Sequence, residues 1–253
     1  MGAKAMNKID DNLQKNLIST AGDYVEIGGE NGDGSTMLLY GIKNKDKNSK
    51  LFSVDPGWGA NTHLRPSHKN TFSQLSGVDN TYLEGTTGEI FLESEFEKKS
   101  ESKKIKFMYL DAFDFAYPEA EPIEANYDKK LMKFLNSENV SEYMKKQTQG
   151  YEKMGYKTLN NFNSIKCHID CAKLFLKFCS DYCLILMDDT YYDYDGDFQG
   201  KCTQAIPFLL QNGFKIIKSG TTKKHGCKSP QEFRDSFLSD ILPNAYFLLE
   251  KND

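Results

Sequence analysis

The sequence predicts one α/β domain built on a doubly wound, mostly parallel sheet of seven strands. Three observations predict it. Seven short apolar runs, each bounded by Gly, Asp or Pro, recur along the 253 residues. Several of these runs are apolar at consecutive positions, as strands are when helices cover both faces of a parallel sheet. Segments with helical periodicity stand between them, and a glycine-rich turn follows the first run.

The predicted strands are Tyr24–Ile27, Leu51–Val54, Thr81–Leu83, Ile105–Leu110, Tyr182–Met187, Phe214–Ile217 and Ala245–Leu249. Helices are predicted over Asn7–Thr20, Ser35–Lys43, Ser164–Phe178 and Lys201–Gln211. Pro207 is expected to kink the last of these or move its start, and Gly213 to end it. The charged run Glu93–Lys106 reads as an exposed helix and loop. Residues 115–163 form a polar, Tyr- and Lys-rich insertion between the fourth and fifth strands. Pro118 and Pro122 favour an extended entry to it, and Tyr127–Lys146 has enough periodicity for one or two helices. We expect a lid there; a solvated decoration or a homo-oligomer contact is the alternative.

Apolar residues make up 39% of the chain, enough for one substantial core. The formal charge of −4, with lysines set beside acids, argues against a nucleic-acid partner. No apolar stretch is long enough to span a membrane and no secretory apolar region opens the chain, so a cytoplasmic protein without membrane contact is expected. The six cysteines follow no secreted disulfide framework. Cys167, His168, Cys171, Cys179 and Cys183 lack knuckle spacing, and read as small core residues before they read as zinc ligands.

The chemistry concentrates at predicted strand ends. The run YVEIGGENGDGS carries a strand into Glu26, Gly28, Gly29, Gly32, Gly34 and Ser35, and glycines there expose backbone N–H groups to a cofactor at a helix start. The spacing G-G-x-x-G-x-G differs from the dinucleotide fingerprint. It resembles the first motif of class I S-adenosylmethionine-dependent methyltransferases, especially small-molecule O-methyltransferases. Asp55 ends the second strand, placed to accept from two ribose hydroxyls. Gly85 and Thr86 end the third, where an adenine can approach the backbone. Trp58 lies near enough in sequence to pack on that adenine, and His63 and Arg65 follow in the same loop.

Asp111 ends the fourth strand, and Asp188-Asp189 ends the fifth. Neighbouring strands would bring the three acids together in the crevice where ligands gather. Bare carboxylates so close repel unless a cation or proton intervenes, and oxygen-only ligands favour Mg²⁺, Mn²⁺ or Ca²⁺. The arrangement resembles the metal site of catechol O-methyltransferase-like enzymes and of the macrocin and novobiocin sugar O-methyltransferases. That resemblance implies Asp111, Asp188 and Asp189 as metal ligands, Asp111 also beside the cofactor, and the seven-stranded methyltransferase sheet with its last strand antiparallel. The open alternative is that these acids cap turns and the enzyme works without metal.

Deprotonating an acceptor hydroxyl calls for a base. Asp114 stands where the catechol enzymes carry a lysine, so the base differs in type, and His168 is the other candidate. The expected acceptor is a small molecule, with a sugar or phosphorylated metabolite suggested at family level only. An oxidoreductase with a nicotinamide, or a catalytically silent binding protein, would use the same architecture.

Overall fold

The computed structural model describes residues 6–29, 34–58, 66–112, 161–223 and 226–252. Gly32, His63, Arg65, Asp114 and all but the last residues of the 115–163 insertion lie outside the described residues.

Nine strands are described: β1 (Asp23–Ile27), β2 (Leu51–Val54), β3 (Thr81–Glu84), β4 (Ile105–Leu110), β5 (Cys179–Asp188), β6 (Thr190–Tyr192), β7 (Phe198–Gly200), β8 (Lys215–Ser219) and β9 (Tyr246–Asn252). Seven of them form one sheet in the order β3-β2-β1-β4-β5-β9-β8. The pairs β1–β2, β2–β3, β1–β4 and β4–β5 are parallel, whereas β9 runs antiparallel to both β5 and β8. Seven strands, mostly parallel, with the last strand of the chain antiparallel, are what the resemblance implies.

The consecutive apolar positions are explained by two separate cores. Val25, Met108, Leu110, Ile185 and Met187 point to one face, while Tyr24, Phe107, Tyr109, Leu184 and Leu186 point to the other. Helix α1 (Asp11–Ser19) and helix α2 (Ser35–Lys43) cover the second face through Leu17, Leu39 and Ile42. On the first face lie the helical segment α4 (88–99), α5 (Asn161–Leu176) and α6 (Ala205–Gln211). Helix α3 (Pro66–Leu75) places Leu75 in a small cluster with Trp58 and Leu83, and α7 (Pro230–Ser236) places Phe233 against Tyr191. Among the described residues no helix is long and apolar enough to cross a membrane.

In three segments the structure departs from the sequence reading or decides between its alternatives. The charged 93–106 stretch is not simply exposed, because α4 contains a π turn at Phe91–Glu95 and buries Phe91, Leu92 and Phe96 in the core. Its acids and lysines occupy the other side, where Lys99 pairs with Glu84 and Glu95. Second, α6 starts at Ala205, so Pro207 sits in its first turn, where a missing N–H costs no helical bond. Lys201 to Gln204 are left in a turn ahead of it. Third, Asp193–Asp197, assigned no element from the sequence, is the tip of the β6–β7 hairpin, closed by Asp193 N–H to Asp197 O at 2.8 Å and by Gly196 at φ +90°.

One buried ion pair lies away from the strand ends. Lys106 of β4 bonds Asp46 and donates to the Thr20 carbonyl at 2.8 Å, with its ammonium 5.1 Å from the Tyr24 ring centre. Both side chains are buried. Removing one partner strands the other charge in the interior, so Lys106→Met is expected to cost about 3 kcal/mol of stability in urea unfolding. A loss below about 1 kcal/mol would show that water reaches Asp46 in the folded state.

Candidate active site

Strand ends β1, β2, β3, β4 and β5 line one edge of the sheet, and the glycines there are dictated by close approach. Gly28 has φ +93°, and a Cβ on it would lie 2.3 Å from the Asp111 carbonyl oxygen. The turn is pinned on both sides, by Gly28 N–H to Val54 O and Asp111 N–H to Ile27 O, each 2.9 Å. A side chain on Gly29 would meet Trp58 and Ser53 at under 3 Å. Gly34, by contrast, stands at the start of α2 without a side-chain cap, and a Cβ on it would meet nothing within 4 Å among the described residues. The first N–H groups of such a helix have no partner within it and favour an anionic group.

Glu26 and Ser35, expected to contact cofactor, bond each other in the structure, with Ser35 half-buried. The Glu26 carboxylate is fully buried and accepts from Ser35 at 2.7 Å, Thr36 at 2.6 Å and Ser53 at 2.5 Å. Burial raises its pKa, and the hydroxyls oppose that rise. Trp58 is buried beneath the loop, its indole N–H donating to Ser53 at 3.3 Å. These residues brace the loop from behind. Asp55 is held at the end of β2, where its Oδ1 accepts the Gly57 N–H at 2.7 Å. Gly85 and Thr86 follow β3, with Thr86 N–H bonded to Glu84 O at 2.9 Å.

The sheet register sets Leu110 opposite Met187, which brings Asp111 level with Asp188. Between them stands the Tyr109 hydroxyl, 2.9 Å from Asp111 Oδ2 and 2.9 Å from Asp188 Oδ2. Burial, then the two carboxylates, drive this phenol's pKa far up, so it remains a proton donor. On the other side the Lys201 ammonium lies 2.7 Å from Asp111 Oδ1 and 2.7 Å from Asp189 Oδ2. Burial disfavours the lysine's charge, but Asp111 and Asp189 outweigh it and hold Lys201 protonated well above its ordinary range. Burial also raises Asp111; Lys201 opposes this and the neighbouring acids add to it.

His168 does not face this crevice. It is fully buried in α5, its Nδ1–H donates to the Ser164 carbonyl at 2.6 Å, and its Nε2 has no partner among the described residues. Burial, followed by the Lys201 charge, pushes its pKa down to about 3. So weak and enclosed a base is poorly suited to an acceptor hydroxyl; among the described residues Asp111 is a candidate base at the strand ends.

The expected divalent ion does not fit this arrangement. An ammonium already bridges two of the three carboxylates, and a hydroxyl separates the third from Asp111. Among the described residues, the one set of potential ligands whose atoms all lie within 4.8 Å of one another is Glu89, Cys167 and Cys171. Both of those cysteines are buried, and the pKa of Cys167 is raised well above normal by its contact with Cys171 and by burial. Both belong to the core packed on the first face of the sheet.

Tyr109 and Lys201 were not anticipated from the sequence. The signal for the lysine was present as Asp195-Gly196, a hairpin turn pair flanked by aromatic residues, which returns the chain to Asp189. The demand of three acids for a cation was the other half of that signal.

No protein-family model matches the chain, and no curated protein matches it. Among solved structures it is similar to the O-methyltransferase NovP, with 9% identity and a TM-score of 0.45 over 100% of this chain and 79% of that one. It is similar also to SMU.1697c of Streptococcus mutans, described as a candidate methyltransferase and solved in complex with SAH. There the identity is 10% and the TM-score 0.42, over 94% of this chain and 93% of the other. Likenesses so distant bear no weight for activity, and the fold rests on the sheet order.

Proposed function

We propose that this chain, with the sheet of the class I methyltransferases, transfers a methyl group from S-adenosylmethionine to a hydroxyl oxygen of a small molecule. The observation that carries this reading is the sequence of groups along one sheet edge. A glycine turn at Gly28, the carboxylate of Asp55 and the acidic cluster of Asp111 stand at the ends of β1, β2 and β4. The cofactor, when bound, supplies an electrophilic sulfonium methyl group.

The chain's own residues do the rest. Asp55, with one oxygen fixed by Gly57, would accept from the ribose hydroxyls, and the turn at Gly28–Gly29 lets the end of β1 lie directly against Asp111, Ser53 and Trp58. Asp111 lies beside that turn and presents a partly exposed carboxylate to accept the acceptor's hydroxyl proton. Placing the oxygen next to the cofactor loop supplies the alignment that methyl transfer needs.

Calorimetric titration with S-adenosylhomocysteine should show one site, weakened roughly tenfold to a hundredfold by Asp55→Ala through loss of charge-assisted hydrogen bonds. Absence of S-adenosylhomocysteine binding, together with binding of NADH, would replace this reading with an oxidoreductase.

A further inference from the structure

The β6–β7 hairpin delivers Lys201 to the acids by a backbone route with little freedom. Asp189 adopts φ +51°, a left-handed conformation that non-glycine residues seldom take, and its N–H bonds the Asp188 carboxylate at 3.0 Å. The chain then leaves through β6 and returns through β7 to Gly200, at φ +96°, where a Cβ would lie 2.0 Å from the Asp189 carbonyl oxygen. Only glycine permits that approach. Immediately after it, Lys201 N–H bonds Asp189 O at 3.1 Å, and Cys202 N–H bonds the Thr190 hydroxyl at 3.0 Å. The Lys201 side chain is 3% exposed, while those of Asp111 and Asp189 keep 22% and 17% of their surface open. The cation therefore sits behind the carboxylates, and their outer surfaces face the crevice.

We infer that Lys201 is the resident cation of this site, an ammonium standing where the resemblance implies a divalent metal, so that the acceptor is bound and methylated without a metal ion. This rests on reading the crevice as a methyltransferase acceptor site. A fixed ammonium holds Asp111 and Asp189 together by charge and hydrogen bonds, and the Tyr109 hydroxyl stands between Asp111 and Asp188, which is the task that otherwise falls to the ion. It offers no open coordination positions. The acceptor is thus held through hydrogen bonds to Asp111 and Asp189, and needs one hydroxyl rather than a chelating pair of oxygens. Lys201 acts through these carboxylates as a positioning residue.

Electron paramagnetic resonance of Mn²⁺ titrated into the full chain tests this, with S-adenosylhomocysteine calorimetry on the same samples. The wild type is expected to show no stoichiometric Mn²⁺ site below about 1 mM. Lys201→Ala should open one site bound at least roughly tenfold tighter, and adding Asp189→Asn should remove it again. A wild-type site of one equivalent that Asp189→Asn abolishes overturns the inference, as does a folded Lys201→Ala protein that gains no Mn²⁺. Should Lys201→Ala fail to fold, the wild type compared with Asp189→Asn still decides. Loss of S-adenosylhomocysteine binding would sink the methyltransferase reading alone, since the Mn²⁺ signal is read separately.

Discussion

Asp111→Asn should lower methyl transfer by roughly a hundredfold to a thousandfold while leaving S-adenosylhomocysteine affinity within about threefold. The substitution keeps the shape of the side chain but removes the charge that faces Lys201 and the oxygen that would take the acceptor's proton. Its backbone part in the site is untouched, because the carbonyl under Gly28 and the N–H bonded to Ile27 do not depend on the side chain. A large fall in turnover with cofactor binding preserved assigns the acid to the acceptor. Unchanged turnover would move the acceptor site away from the cluster, and a parallel loss of cofactor binding would make Asp111 a cofactor ligand. Steady-state rates beside calorimetry separate the three results.

Acid should destabilise the protein steeply, and His168 should be a principal cause. The folded imidazole has a pKa near 3 against an ordinary value of 6.5, so the fold holds it neutral. A lowered folded pKa contributes stability that is complete above pH 6.5 and is lost as pH falls toward 3, in total about 5 kcal/mol at most. Glu26 and Asp188 act in the opposite sense. Burial raises them, so their neutral forms favour the fold at low pH and their contribution declines as pH rises through their folded values. The comparison must therefore be a difference. Urea unfolding between pH 7 and pH 4 should show a smaller acid loss for His168→Gln than for the wild type; equal slopes would mean that the imidazole is not the group being charged.

Where an element declared itself along the chain, the sequence was sufficient. Leu51–Val54, Ile105–Leu110 and Ser35–Lys43 match the described elements residue for residue, because a strand buried on both faces is apolar throughout and a helix start after glycine is marked by Ser and Thr. The sheet edge was legible for the same reason, each functional acid closing an apolar run. Pairings between distant side chains were not. Lys106 and Lys201 look like surface lysines in a chain rich in them, and only the fold reveals that each is buried and paired with an acid. Glu26 read as a cofactor contact because a strand-end acid is expected to point outward, whereas hydroxyls from α2 and β2 surround it. His168 has a pKa suited to catalysis only in water, and its burial is a property of how α5 packs.

The β6–β7 hairpin also works as a ruler. Its register sets Tyr191 opposite Gln199 and Thr190 opposite Gly200, and side chains along such a pair alternate between faces. Inserting one residue near Asp195 and Gly196 can leave the turn intact and still shift everything beyond it by one position. That shift carries Gly200 out of its contact with Asp189 and turns Lys201 to the opposite face. A shift of two positions keeps the face but still moves Gly200 off Asp189, so the charge balance of the crevice depends on the length of a loop whose own residues need never touch it.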